Sequence, residues 1–262
     1  IEAGLQDLVD TIQRLNIRSI AVPPLGCGHG GLEWSEIRPL IESALGNLPD
    51  VRVLLFAPGA TPEATTMPNR TERPKMTVGQ AALIALIDRY LSGLLDPFVR
   101  LLEIHKLMYF LQAAGQPLRL QYEAQQFGPY ARNLRQVLIR LESHYTQGYG
   151  DGTDSPTKTI ELMPGAIQEA KVFLHKDELI RQRMDRVTDL IEGYEDPMGM
   201  ELLSSVHWVM SHHSEARTSP TAAAQAVHDW NLRKRRTLKT EHLVRAWHRL
   251  ADKGWVPSEA AA

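Results

Sequence analysis

The residues whose types and spacing best suit chemistry form one short loop, Gly26-Cys27-Gly28-His29-Gly30-Gly31, between the apolar run Ser19–Val22 and a helical pattern that starts at Trp34. Glycines let backbone N–H groups approach anionic oxygens, and a helix beginning just beyond them adds the partly positive end of its dipole. The chemistry implied is the cradling of a phosphate or diphosphate. No Lys-Ser or Lys-Thr follows the last glycine, so this is not a Walker A loop, and the spacing is not a Rossmann fingerprint. A tight strand-to-helix turn without a ligand is the plain alternative. Cys27 has the position of a thiolate nucleophile near a helix N-terminus, but the only adjacent base is His29, and neighbours along a loop seldom converge. Small-residue packing accounts for it better.

Other titratable clusters are weaker. His207, His212 and His213 are offset by five and six residues, which places them on different helix faces, and no metal site is expected. Asp185, Asp189, Glu192, Glu195, Asp196 and Glu201 form an acidic stretch opposed within it only by Arg186. Its first three members share a helix face; Glu195 and Asp196 fall at the expected helix end, where the dipole disfavours acids. The stretch is either an ordinary solvated face or a set of carboxylates offered to a basic groove. The run Arg233-Lys234-Arg235-Arg236 reads as a solvated charge run, with phosphate contact as the alternative.

Two kinds of element must position these groups. Leu5, Leu8, Val9, Ile12 and Leu15 recur at helical spacing, and Ser19–Val22 and Val51–Phe56 read as short buried strands, so residues 1–60 predict a parallel βαβ unit. Only two strands are visible against a usual ~5 to 6, so the chain is expected to begin inside a domain, with Ile1 agreeing with truncation. Residues 61–77, rich in Pro and Thr, predict a linker, and residues 78–262 a mainly α domain. Helical periodicity runs over Val78–Leu95, Phe98–Ala114, Tyr130–Ser143, Ala166–Tyr194, Met200–Met210, Thr221–Trp230 and Thr240–Lys253, with short extended pieces at Leu118–Ala124 and Lys158–Met163. Gly128-Pro129 is expected to end the first extended piece and open the next helix.

Composition narrows the classes. The 262 residues suffice for two domains, 43% apolar content permits ordinary cores, and a net charge of −2 gives no global pull toward DNA or membrane. One cysteine excludes a disulfide framework, and no apolar run approaches the ~20 residues of a membrane span. A cytoplasmic protein is expected.

Pro23-Pro24-Leu25-Gly26-Cys27-Gly28 resembles the second phosphate-binding loop of macrodomains, in the version found in DarG-type antitoxins. His105-Lys106-Leu107-Met108-Tyr109-Phe110-Leu111, then Tyr122 to Ala131, Glu142-Ser143-His144-Tyr145 and Gly148 to Gly152, is similar in order to the C-terminal domain of the same antitoxins. Its first half also resembles the Panacea antitoxin domain. The resemblance implies the C-terminal half of a macrodomain, an α/β fragment, followed by a mainly helical module that neutralises a DarT-like DNA ADP-ribosyltransferase toxin. It implies further that Gly26, Cys27, Gly28, His29, Gly30 and Gly31 hold ADP-ribose, or ADP-ribosylated DNA in the intact protein. The intact macrodomain would remove ADP-ribose from thymidine by glycosidic hydrolysis, using catalytic groups upstream of the loop that this chain does not supply. Neither metal nor cofactor is called for. Asp189, Glu192, Glu195 and Asp196 are the residues assigned to the toxin. The alternative is a DNA-binding regulator whose macrodomain fragment senses ADP-ribose. Tyr109, Phe110, Tyr122, Phe127 and Tyr130 read as a core-and-turn cluster.

Overall fold

The computed structural model describes residues 1–27, 31–58, 72–94, 97–150 and 154–257, and the chain divides into two units, Ile1–Met67 and Pro68–Ala262. In the first, helix α1 (Glu2–Arg14) buries Leu5 and Ile12, one stripe of an amphipathic helix. Strand β1 (Ser19–Val22), helix α2 (Trp34–Leu45) and strand β2 (Arg52–Leu55) complete the unit. β1 and β2 pair in parallel, Ser19 opposite Arg52 and Val22 opposite Leu55, as a βαβ connection requires. Ile37, Ile41 and Leu45 repeat every fourth residue, so one face of α2 packs with Leu5, Ile12, Val22 and Leu48. Parallel sheets are ordinarily covered on both faces, yet Leu54 and Phe56 are 41% and 57% exposed.

The second unit is a helical assembly with two small antiparallel sheets. Helix α3 (Val78–Ser92) opens with a capping box, in which Gln80 N–H donates to Thr77 Oγ1 and Thr77 N–H to Gln80 Oε1. Strand β3 (Val99–Arg100) leads into helix α4 (Leu101–Ala113), whose residues from Leu101 to Leu111 are all buried. An all-round buried helix belongs at the centre of a domain. Strands β4 (Tyr122–Gln125) and β5 (Gly128–Ala131) form a hairpin, followed by helix α5 (Leu134–Leu141), strand β6 (Thr146–Gln147) and strand β7 (Thr159–Leu162). β7 lies between β3 and β6. Helices α6 (Ala166–Leu174), α7 (Glu178–Ile191), α8 (Pro197–His212), α9 (Ser214–Thr218), α10 (Pro220–Trp230), α11 (Leu232–Thr237) and α12 (Thr240–Asp252) complete the unit.

Several expected boundaries need correction. The helix expected over Tyr130–Ser143 begins only at Leu134, and Gly128-Pro129 opens a strand, with Pro129 opposite Ala124. A two-stranded hairpin has a free edge where the missing proline N–H costs nothing. The long helix expected over Ala166–Tyr194 is two helices. Asp177 divides them, its Oδ1 accepting from Ile180 N–H at 3.1 Å as the cap of α7. Of the extended piece Leu118–Ala124, only its end joins a strand, whereas Lys158–Met163 contains β7. α9 and α11 are too short for a periodic signal. Among the described residues no helix is long and apolar enough to cross a membrane.

Candidate functional site

In the first unit the glycine loop leaves β1 through Pro23 and Pro24. Cys27 N–H donates to Pro24 O at 3.2 Å, closing a turn, and Leu32 N–H donates to Gly26 O at 3.0 Å, drawing the two sides of the loop together. Gly26 and Gly31 stand at φ +73° and +64°, the left-handed region that favours glycine. A Cβ on Gly26 would lie 2.6 Å from Leu32 Cδ1. Helix α2 then starts at Trp34 with no side-chain cap from Glu33, and while Glu36 N–H turns back to Glu33 O at 3.0 Å, the N–H groups of Trp34 and Ser35 stay available to an acceptor. The half-buried Cys27 thiol donates to Leu25 O at 3.5 Å and faces no base among the described residues. Gly28, His29 and Gly30 lie outside the described residues.

In the second unit the segments that carry the antitoxin resemblance converge. Lys106 Nζ on α4 is fully buried and donates to Pro129 O at 2.7 Å, tying α4 to β5. Burial, with the nearby Lys234 cation, pushes Lys106 down to about 7. The His105 ring stacks on Tyr130 at 4.3 Å, and burial holds it down to about 3, an uncharged imidazole. Tyr130 and Tyr149 both donate their hydroxyls to Asp154. Burial opposes its charge, but the two tyrosine hydrogen bonds hold its carboxyl below the usual range. Glu142 collects the N–H groups of Gly148, Tyr149 and Gly150 at 2.9–3.1 Å. The recurrent motif is thus largely the internal wiring of this unit. Beside it lies a cavity of about 400 Å³ lined by His105, Lys106, Phe127, Tyr130, Arg132 and Asp154. Of the aromatic cluster, Tyr109 and Phe110 are buried, whereas Tyr122, Phe127 and Tyr130 are half-buried.

The basic run is solvated at Arg235 and Arg236 but not at its start. Lys234 is fully buried, donating to Glu201 Oε1 and Ser205 Oγ at 2.8 Å each, and Arg233 holds Glu201 in a fork at 2.7 and 3.0 Å. Burial alone would raise the Glu201 carboxyl, but these donors hold it below its ordinary value. Glu201 therefore leaves the acidic surface. Arg233 also lies over the Phe127 ring at 4.2 Å, and Arg235 pairs with Asp229 at 2.9 Å.

The acidic stretch is likewise less bare than its sequence. Asp185 pairs with Arg89 at 2.7 Å and Asp189 with Lys253 at 2.5 Å, and Arg249 lies 3.7 Å from the Glu192 carboxylate. Glu195 accepts from Gly193 N–H at 2.6 Å. Asp196 does not suffer a helix C-terminus: it is the N-cap of α8, accepting from Met198 and Gly199 N–H at 2.7 and 2.9 Å, where the dipole favours a negative charge. Asp189, Glu192, Glu195 and Asp196 follow one another along the α7–α8 junction.

Of the three histidines considered for metal, His207 shares a 2.7 Å hydrogen bond with Tyr109 Oη inside the core, and His212 stacks on Trp208. Among the described residues no group of three potential ligands could hold a metal ion.

No family model matches the chain. Relatives do. It is 42% identical over 254 residues to the DNA ADP-ribosyl glycohydrolase of Thermus aquaticus, covering 97% of this chain and 69% of that protein. The protein of the same name from Mycobacterium tuberculosis is 36% identical over 262 residues, covering 95% and 73%. A DNA ADP-ribosyl transferase-DNA ADP-ribosyl glycohydrolase fusion protein of Thermosipho africanus is 45% identical over 58 residues, 22% of this chain and 15% of the fusion.

Proposed function

Because this chain belongs to the family of the DNA ADP-ribosyl glycohydrolases, we propose that it is an antitoxin of the DarG type with two separable activities. The first unit is the loop-bearing C-terminal half of a macrodomain and holds ADP-ribose; the second binds and blocks a DNA ADP-ribosyltransferase. The similarity that runs through both units, not the glycine loop alone, carries this reading, and the fusion protein, with both activities named in one polypeptide, supports the pairing. The glycine loop from Gly26 to Gly31, in which Cys27 N–H is kept by Pro24 O, and the uncapped start of α2 would hold the diphosphate and distal ribose. The described part of the loop offers no general acid, and positioning without activation of the glycosidic bond yields little rate. Residues 1–262 should bind ADP-ribose, as calorimetry would measure.

The carboxylates Asp189, Glu192, Glu195 and Asp196 are assigned to the transferase: an enzyme that handles DNA carries a basic groove, and an acidic junction complements it. The competing reading, a DNA-binding regulator, loses support because Arg233 and Lys234 are spent on Glu201 and Arg235 on Asp229. The test is co-expression of the transferase with residues 72–262. Rescue of growth and a stoichiometric complex are expected. Rescue by residues 1–262 but not by 72–262 would assign neutralisation to the first unit instead.

A further inference from the structure

We propose that the cavity between α8, α9 and α10 receives an arginine side chain of a protein partner. It encloses about 480 Å³, and its walls include Trp208, Trp230, Glu215, Asp229, Ala222 and Ala226. Ala222, Ala226 and Trp230 repeat every fourth residue, so one face of α10 forms a wall on which methyl groups stand where larger side chains would close the space. Trp208 of α8 faces this wall, its ring 6.2 Å from that of Trp230. Both indoles are held before any ligand arrives. His212 stacks on Trp208 at 4.0 Å, and the Lys234 ammonium lies 4.9 Å from the centre of the Trp230 ring.

Glu215 and Asp229 line the cavity beside His213, with neither lysine nor arginine among the lining residues. Asp229 is engaged by Arg235 and by Gln225. Glu215 has no side-chain hydrogen bond or ion pair with a described residue. Fixed aromatic faces attract a cation, and a carboxylate beside them matches the guanidinium fork. Arginine fits better than lysine because its flat, weakly hydrated group stacks on indole and pairs with carboxylate together. Nucleobases also stack on indole, but their phosphates would meet Glu215 and Asp229. Naming the partner as the DNA ADP-ribosyltransferase rests on the function proposed above; the chemistry of the cavity does not.

Two measurements on residues 1–262 test this. In the first, the indole N–H signals of Trp208 and Trp230 are followed by NMR during titration with N-acetylarginine amide, and separately with the neutral N-acetylcitrulline amide. Saturable shifts with the arginine probe alone are expected; no shift, equal shifts with both probes, or shifts with a single-stranded oligonucleotide instead would overturn the assignment. In the second, transferase affinity is measured for Glu215→Gln and Ala226→Phe. Glu215 is exposed and unpartnered, so its variant keeps the fold, and a loss of about fivefold is expected, with a larger loss for the filled cavity. Probe shifts combined with unchanged transferase affinity in Glu215→Gln would overturn the partner. Failure of the unaltered chain to bind transferase would defeat the antitoxin reading, while the probe titration still judges the cavity.

Discussion

The two units bury different chemistry. Every buried side chain described in the first, Leu5, Ile12, Val22, Ile37, Ile41, Leu45 and Leu48, is aliphatic. The second buries Glu103, His105, Lys106, Glu201, His207 and Lys234 within a much larger apolar core. Aliphatic packing is non-directional and tolerates volume-conserving change. A buried polar network is directional, and losing one member exposes the others to the full cost of an unpaired group. On the function proposed, the first unit needs only to present backbone in a loop, whereas the second must hold a side-chain surface in one shape.

The strongest way to break this contrast is Glu201→Ala, which leaves Lys234 buried without its carboxylate. A destabilisation of about 3–5 kcal/mol in denaturant unfolding is expected, against about 1 kcal/mol for Ile41→Val in the first unit. Similar losses for the two variants would erase the distinction.

Acidity sharpens it next. Lys106 falls to about 7 in the folded chain, below its unfolded value. Between pH 7 and about 10 the unfolded state then binds more protons at this site, so stability rises with pH across that window. Lys106→Met should flatten the rise, by an amount on the order of a few kcal/mol; an unaltered slope in thermal melts would show that Lys106 is charged and paid for elsewhere.

In the first unit the vulnerable point is backbone. Gly26→Val forces a branched side chain into positive φ and against Leu32, costing about 1–3 kcal/mol, and should lower ADP-ribose affinity at least tenfold by calorimetry. Unchanged affinity would reduce the loop to a turn.

The smallest effect is expected at the acidic junction. Changing Asp189, Glu192, Glu195 and Asp196 to Asn or Gln keeps the α8 cap, since Asn caps about as well as Asp. Association with the transferase should slow a few-fold at low salt and little at high salt. Coincident rates at both ionic strengths would remove this junction from the interface and leave the cavity of α8–α10 as the remaining contact.

Much of the first unit was readable in one dimension. The 3.6-residue period of Leu5 to Ile12 and the short runs around Ile20 and Val53 specify helix and strand because each element's apolar face depends only on its own spacing. Periodicity misled at Tyr130, where a hairpin partner outweighed helical spacing, and at Asp177, where a cap cut one apolar stripe into two helices. The charged segments were least legible. Arg233-Lys234 meets Glu201 about thirty residues away in sequence, Asp189 meets Lys253, and Trp208 meets Trp230 across separate helices. The sequence by itself determined the helices and strands of the first unit and most of the long helices of the second, because those follow from neighbours a few residues apart. Only the tertiary structure decided which charges are buried, which are paired and which line a cavity, because solvation and Coulomb energy depend on what the fold brings close in space.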